Sequence, residues 1–224
     1  DEGYVVEGFR ELAERNISKV FPDRYILLTF DDGYKSFLNA AEILNDMGFK
    51  ATFFLTEKWC YEKHNFLNNE EILALSGMHE VGSHTVSHPQ LTKISLESVY
   101  SELYESKNWL EQIINKKVTS LSVPGGFINR SVVKVAKDVG YSLIGNSKEW
   151  WNTQSSAETL TLINRVAVRR SFPMEKYQNI VKLNTKHYLQ RLIRSHFLHL
   201  PKSILSTQQY DIVRNMLSKN KKLR

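Results

Sequence analysis

Two carboxylates stand side by side in the segment Asp31-Asp32-Gly33, directly after the apolar run 25–30. In parallel α/β folds the carboxyl ends of the strands carry the active site. Adjacent side chains at a strand end point to different sides, so one carboxylate can bind a metal ion while the other moves a proton. An Asp-Gly pair is also common in turns, and taken alone the segment is compatible with a simple turn.

Two histidines, His84 and His88, stand four residues apart after the short segment 80–83. On one helical turn they would face the same way, which suits two imidazole nitrogens on one ion. Alone, such a pair also fits two unrelated surface histidines. Because both motifs follow strands, they would meet on one rim of a parallel sheet. One Asp with two His then predicts a hydrolytic metal site with positions open for water and substrate.

The rest of the sequence predicts the elements that would position these motifs. Short apolar runs bounded by turn residues predict buried strands at 25–30, 51–55, 80–83, 118–123, 141–144 and 163–168. Helical apolar spacing predicts helices at 5–17, 36–47, 69–75, 95–114 and 129–138. In the third helix we expect Asn69 as the cap and Gly77 as the stop. The alternation favours a parallel sheet with helices outside it, in an open sheet or a barrel. No glycine-rich nucleotide-binding pattern follows the first strand, which disfavours the nucleotide-binding open sheets.

Composition bounds the class of protein. The chain has 224 residues, of which 42% are hydrophobic and 24% charged, which is ordinary globular composition and argues against intrinsic disorder. No run of about 18 apolar residues predicts a transmembrane helix. The single cysteine, Cys60, rules out an intramolecular disulfide. The sequence begins at Asp1 with no apolar signal region, which is compatible with a targeting segment that has been removed, and we leave the bacterial cell envelope and the cytoplasm open as compartments.

The two motifs and their surroundings resemble the polysaccharide deacetylases, carbohydrate esterase family 4, also called the NodB-homology domain. Residues 29–33 (TFDDG) and 83–89 (SHTVSHP) resemble the first two motifs of the family. Weaker likenesses are found at 51–54, 79–82, 122–126 and 140–141. The likeness runs from about residue 25 to about residue 168.

The resemblance implies a fold, an activity and a set of roles. The fold is α/β, a distorted (β/α) barrel with fewer than eight strands, and the activity is removal of N-acetyl groups from amino sugars. By motif, Asp32, His84 and His88 would bind one divalent metal ion, foremost Zn²⁺, with Co²⁺, Ni²⁺ or Mn²⁺ as alternatives. Asp31 would be the general base. The backbone N–H of Gly125 would help to stabilise the oxyanion.

The chain departs from the family pattern at three places. The arginine of the third motif, which braces the general base, is Ser122, and the usual aromatic residue after the proline is Gly125. The final Leu-x-x-His motif, whose histidine is the general acid, has no match near 164–170. Three histidines nearer the end of the chain could supply the acid or could be ordinary surface residues: His187, His196 and His199.

Aromatic residues near predicted strand ends are candidates for stacking on sugar rings. We assign substrate binding to Tyr34, Pro124, Trp150 and Trp151, although one or both tryptophans could instead fill the core. Trp59 and Tyr61, which follow the second predicted strand, have a weaker claim.

The charge is divided unevenly. Residues 175–224 carry 11 Lys and Arg against two acidic residues, whereas the rest of the chain has 19 against 22. We therefore expect a barrel domain at 1–174 and a basic helical C-terminal extension at 175–224. Amphipathic segments in the extension could pack on the barrel, and its cationic end could make weak contact with an anionic membrane or polymer. No nucleic-acid motif accompanies the charge, so nucleic acid is not an expected partner, and the oligomeric state is left open.

Three functions follow from these features. The first is a metal-dependent hydrolase that acts on an N-acetylated glycan or polysaccharide and breaks a carbon–nitrogen bond other than a peptide bond. The second is a non-catalytic carbohydrate-binding protein, suggested by the missing arginine and histidine. The third is an amidohydrolase on another N-acyl substrate, because the metal chemistry does not depend on the sugar.

Overall fold

A computed structural model describes residues 3–18, 20–152 and 161–183 of the chain. The described residues fall into two compact units, one within Asp1–Lys148 and Asn152–Arg165 and the other within Glu149–Trp151 and Val166–Arg224. The predicted division at 174/175 stays a prediction. Most of the basic extension, including its amphipathic segments and cationic end, lies outside the described residues.

The first unit is built around a curled sheet of six parallel strands, each hydrogen-bonded to the next in chain order. This sheet contains β3 (Thr29–Phe30), β4 (Thr52–Leu55), β5 (Glu80–Ser83), β6 (Ser120–Ser122), β7 (Leu143–Gly145) and β8 (Thr161–Ile163). A separate parallel pair consists of β1 (Val5–Glu7) and β2 (Tyr25–Leu27). The expected distorted (β/α) barrel with fewer than eight strands is confirmed.

Helices connect the strands. They are α1 (Phe9–Ser18), α2 (Ser36–Asp46), α3 (Glu57–Glu62), α4 (Asn69–Met78), α5 (Leu96–Ile114), α6 (Arg130–Val139) and, in the second unit, α7 (Met174–Val181). The ends of α5 and α6 follow from local chemistry. Ser95 and Asn129 cap their N-termini through side-chain oxygens, and Gly140 ends α6 in the left-handed conformation.

The first thirty residues differ from the expectation. The helix predicted at 5–17 is β1 followed by α1, because Val5 pairs with Tyr25 in a parallel ladder. Gly8 joins these two elements, and a Cβ there would lie 2.7 Å from the Thr52 hydroxyl oxygen. The strand predicted at 25–30 is divided between the two sheets, with Leu28 between β2 and β3.

Other boundaries also differ. The cap of α4 is Asn68, which forms a capping box with Glu71, and the helix continues through Gly77 to Met78. Helix α3 was not predicted. The last strand ends at Ile163 and not at 168, since the Asn164 amide turns away to the side-chain oxygen of Asn152.

The amino ends of three neighbouring strands share a buried polar cluster, which we call the amino-edge network. It consists of Thr52, Glu80 and Ser120, the first residues of β4, β5 and β6, and all three are buried. The Glu80 carboxylate accepts hydrogen bonds from the Thr52 hydroxyl at 2.6 Å, the Ser120 hydroxyl at 2.8 Å and the Arg10 amide at 2.7 Å. The Phe9 amide donates to Thr52 at 2.7 Å, so the start of α1 is fastened to this edge of the sheet.

Burial follows the strand pattern. All four residues of β4 are buried, as are all four of β5, as expected for parallel strands that are covered on both faces. Phe9 is fully buried and packs edge-on against Phe54 at 5.3 Å. With this packing, α1 closes the amino edge of the sheet, and the opposite edge carries the chemistry.

Candidate active site

The polar residues singled out in the sequence collect at the carboxyl edge of the sheet. Asp31 and Asp32 follow β3, His84 follows β5, and Ser122 is the last residue of β6. Because all six strands are parallel, these ends lie on the same edge. The structure therefore brings together residues from three segments of the chain, with His84 and Ser122 separated by 38 residues and Asp31 and Ser122 by 91.

Asp32, His84 and His88 form a compact set, which we call the metal trio. The Asp32 Oδ1 atom lies 3.5 Å from His84 Nε2 and 3.8 Å from His88 Nε2. All three potential ligand atoms lie within 4.8 Å of one another. Ligands held at about 2.0–2.1 Å from a tetrahedral zinc ion are about 3.4 Å apart, so small side-chain movements would complete the coordination.

The orientation of His84 fits a ligand. Its Nδ1 atom lies 2.7 Å from the backbone carbonyl oxygen of Ser122, which can only accept a hydrogen bond. Nδ1 therefore carries the proton, and the lone pair of Nε2 points toward Asp32. Burial lowers the pKa of His84, whose side chain is 2% exposed, and this favours the neutral form that binds metal.

Three residues of the site loops have backbone angles in the left-handed region. They are Asp32 at φ 91°, Thr85 at φ 71° and His88 at φ 61°. For residues other than glycine such conformations cost of order 1–3 kcal/mol each and are concentrated at functional sites. The helical turn expected for the two histidines is wrong. The two histidines are instead brought together by a non-helical loop whose backbone is strained at Thr85 and His88.

Glu102 of α5 holds the histidine loop from outside. Its carboxylate accepts hydrogen bonds from the amides of Val86 and Ser87, each at 2.9 Å, and from the Ser87 hydroxyl. The His88 amide donates to the Thr85 hydroxyl oxygen at 3.0 Å. These bonds fix a loop that lacks regular secondary structure.

Trp59 of α3 supports the second histidine. Its ring stacks on the His88 imidazole with centroids 4.7 Å apart and planes at 27°. Phe66 contacts Trp59 edge-on at 5.6 Å, and Tyr34 contacts Phe66 at 4.4 Å. We call Tyr34, Trp59 and Phe66 the aromatic wall. Tyr34 is 42% exposed, so the wall extends from solvent to a ligand of the trio.

Asp31 is held by a different set of partners. The Arg165 guanidinium donates from Nη1 to Asp31 Oδ1 at 2.7 Å and from Nη2 to Oδ2 at 2.9 Å. The Ser122 hydroxyl donates to Oδ2 at 3.0 Å. Burial raises the pKa of Asp31, but the charge of Arg165 and the hydrogen bonds from Arg165 and Ser122 outweigh it and hold the pKa below its ordinary value.

Sequence reasoning missed Arg165. The segment 164–170 contains no histidine but three arginines, of which Arg165 contacts Asp31. A signal was present, because Arg165 lies in the last predicted strand, at 163–168, and a shorter strand would have placed it at the edge that carries the site; the observed strand ends at Ile163. Ser122, which stands where the family resemblance expects an arginine, was a second signal, since a partly buried carboxylate is stabilised by another cationic partner.

The remaining predicted residues are placed as follows. Pro124 and Gly125 form a tight turn directly after β6, with Gly125 in the left-handed region at φ 64°. Trp150 and Trp151 belong to the second unit and stack on each other at 3.9 Å. The functions assigned to these four residues and to Tyr34 stay predictions. His187, His196 and His199 lie outside the described residues.

The family is identified by comparison with known proteins. The family model described as polysaccharide deacetylase matches residues 18–144, more than half of the chain. The chain belongs to the polysaccharide deacetylase family. The matched span contains Asp31 and the whole metal trio, whereas Arg165 lies beyond it.

Individual relatives agree with this assignment. The peptidoglycan-N-acetylglucosamine deacetylase PgdA of Listeria monocytogenes is 30% identical over 130 residues, which are 57% of this chain and 26% of that protein. A solved polysaccharide deacetylase from Bacillus cereus is 28% identical, with a TM-score of 0.68 over 81% of this chain and 57% of the other. The fold also resembles that of the Streptococcus pyogenes deacetylase PplD, with a TM-score of 0.72, 24% identity and 81% coverage of each chain.

The chain spans only part of these relatives, 26% of the Listeria protein and 57% of the Bacillus cereus one. Among the described residues, no helix combines the length and apolarity that a membrane span requires.

Proposed function

We propose that this protein is a metal-dependent N-deacetylase that hydrolyses the N-acetyl groups of amino sugars in a glycan or polysaccharide. The observation that carries the proposal is the pairing of Asp31 with the metal trio. A carboxylate held in one orientation lies next in sequence to a ligand of a three-residue metal site. Membership of the polysaccharide deacetylase family supports the hydrolytic reaction.

The trio suits a divalent metal ion. Two imidazole nitrogens and one carboxylate oxygen form a donor set that zinc accepts, and three protein ligands leave positions for water and substrate. Co²⁺, Ni²⁺ and Mn²⁺ are compatible with the same donors. A metal ion bound here supplies a Lewis acid that polarises the acetyl carbonyl and lowers the pKa of water.

Asp31 acts as the general base in this proposal. It accepts a proton from the attacking water, so its orientation matters as much as its basicity. Two N–H groups of Arg165 and the hydroxyl of Ser122 keep the carboxylate from rotating. The amide of Gly125, in the turn after β6, donates to the oxygen that develops negative charge.

The substrate is an N-acetylated amino sugar within a glycan. Support comes from the aromatic wall, whose exposed Tyr34 can stack on a sugar ring near the metal trio. Pro124, Trp150 and Trp151 are further candidates for sugar contact. A Listeria relative is named a peptidoglycan-N-acetylglucosamine deacetylase, which favours N-acetylglucosamine as the sugar.

The direct test is acetate release from N-acetylglucosamine oligomers by the zinc-loaded protein. We expect release that stops when zinc is chelated and resumes when zinc is restored. The matched control is Asp31→Asn, which keeps the shape of the base but cannot accept a proton. Binding of the oligomers without acetate release would instead favour the non-catalytic carbohydrate-binding function. Release from simple N-acyl amides but not from sugars would favour the amidohydrolase.

A further inference from the structure

We infer that Arg165 is the positioning residue of the general base: with Ser122 it fixes the Asp31 carboxylate, from a strand end outside the recognised motifs. This inference rests on the proposed function. The family resemblance expects an arginine at position 122, where this chain has Ser122. Arg165 supplies the missing guanidinium to Asp31 and also contacts Ser122.

The number of hydrogen bonds at Asp31 supports this function. An ionised carboxylate has about four acceptor positions. Arg165 Nη1 occupies one on Oδ1, and Arg165 Nη2 with the Ser122 hydroxyl occupies two on Oδ2. About one position, on Oδ1, is left to accept a proton from water.

The guanidinium itself is fully engaged. Arginine has five N–H donors. Besides the two bonds to Asp31, Arg165 donates to the Ser122 hydroxyl oxygen at 2.6 Å, the Thr29 hydroxyl oxygen at 3.2 Å and the Asn146 carbonyl oxygen at 3.2 Å. These partners lie on or next to β3, β6 and β7, so one side chain from beyond β8 ties together the carboxyl ends of three other strands.

The space for this side chain is also specific. The guanidinium carbon lies 5.5 Å from the centre of the Phe54 ring, and the side chain is 13% exposed. A Cβ at Gly145 would lie 2.7 Å from Arg165 Nε and 3.1 Å from its Cδ. Because Gly145, the last residue of β7, has no side chain, the Arg165 side chain can pass beside it to reach Asp31.

The contacts of Arg165 separate base positioning from metal binding. Within the described part of the chain, its hydrogen bonds go to Asp31, Ser122, Thr29 and Asn146 and not to the metal trio. Loss of Arg165 should therefore lower turnover while the metal content stays the same. A misplacement of a reacting group by about 1 Å can cost about 10²-fold in rate.

The test compares four proteins: wild type, Arg165→Ser, Ser122→Arg and the exchange variant with both substitutions. We expect Arg165→Ser to lower kcat about 10²-fold with KM and bound zinc near wild type. Guanidinium ion in the buffer should recover part of this loss, because the serine leaves its site open. The exchange variant should be more active than either single variant, since it returns one guanidinium to Asp31.

Wild-type kcat in Arg165→Ser would overturn the inference. So would a loss that neither guanidinium nor the exchange recovers, or a loss of zinc that accounts for the lost activity. Gly145→Ala is a second approach to the same contact, and we expect it to lower kcat as Arg165→Ser does, also with zinc retained.

A measurement without substrate separates this inference from the proposed function. Arg165→Ser leaves a partly buried carboxylate without its cation, and we expect a lower Tm. Adding Asp31→Asn should recover part of that Tm, because the uncompensated charge is removed. If wild type releases no acetate but this coupling is present, the proposed function fails and the Asp31–Arg165 pairing stands. If acetate is released but the coupling and the loss of kcat are both absent, only the inference fails.

Discussion

The two edges of the same parallel sheet carry polar clusters that differ in how their acceptor atoms are paired. At the amino edge, both carboxylate oxygens of Glu80 accept hydrogen bonds, and the start of α1 contributes one of the donors. At the carboxyl edge, Asp32 Oδ1 faces two imidazole nitrogens in loops with strained backbone angles. Donors matched to acceptors, as around Glu80, stabilise the fold, whereas a carboxylate that faces two imidazoles is a donor set suited to a cation.

Each edge also treats its carboxylate differently. Glu80 has neutral donors only, and burial raises its pKa above the ordinary value. Asp31 has a guanidinium, and its pKa is held below the ordinary value. The general base that we propose must be ionised at working pH, and of these two carboxylates Asp31 is the one with a hydrogen-bonded cationic partner. Four predictions test this contrast, and they are ordered by the size of the expected effect.

The largest effect is expected for the double variant His84→Ala, His88→Ala. One remaining protein ligand cannot hold a zinc ion tightly, so metal should be lost and acetate release abolished. Elemental analysis after dialysis measures this, with His64→Ala as a matched control outside the trio. Equal zinc in wild type and the double variant would mean that the metal site is elsewhere.

The next effect is expected for Asp31→Asn. The amide nearly preserves shape but cannot accept the proton of water, so turnover should fall by roughly 10²–10⁴-fold. Zinc content should remain at the wild-type level, because Asp31 is not a member of the trio. Steady-state kinetics with parallel metal analysis tests this, and near-normal turnover would remove Asp31 from the mechanism.

At the amino edge we expect a loss of stability and not of metal. Glu80→Ala leaves two buried hydroxyls and the Arg10 amide without their acceptor, which should lower the free energy of unfolding by about 3 kcal/mol. Urea unfolding measures this, with Glu42→Ala on the exposed side of α2 as the control. If Glu80→Ala were as stable as that control, the amino-edge network would not be a stabilising element.

The smallest effect is a pH dependence at the same edge. Because burial raises the pKa of Glu80 in the folded protein, folding favours its protonated form. Its stabilising contribution is therefore full below the ordinary glutamate pKa and falls as pH rises through the raised folded pKa. Glu80→Gln cannot titrate and should lack this component. The difference in Tm between the two proteins, followed from pH 4 to pH 7, tests the sign. We expect the Tm of wild type to fall relative to that of Glu80→Gln as pH rises. A relative rise in the wild-type Tm would mean that the folded protein lowers the pKa of Glu80.

Short motifs made much of the site predictable. Asp31, Asp32, His84 and His88 lie in two segments that each follow a buried strand, so their chemistry and their shared edge could be inferred without coordinates. The cap of α4 was predicted one residue too late, at Asn69, because the capping box joins Asn68 to Glu71.

The missed features depend on distant contacts. Val5–Glu7 has apolar spacing that suits a helix, and only its pairing with β2 makes it a strand. Trp59 lies in the unpredicted helix α3, and its stacking on His88 joins that helix to the histidine loop.

The amino-acid sequence by itself determined the residue types of the site, the strand ends that carry them and the family. Tertiary structure decided which guanidinium reaches Asp31. Arg165 is 134 residues from Asp31 in the chain, and Ser122 is 91 residues from it. Such a pair forms only when the curl of the sheet brings β8 near β3 and Gly145 leaves room between them. Local sequence can specify a strand end, but the partner of a side chain there is set by the order, curvature and free space of all the strands.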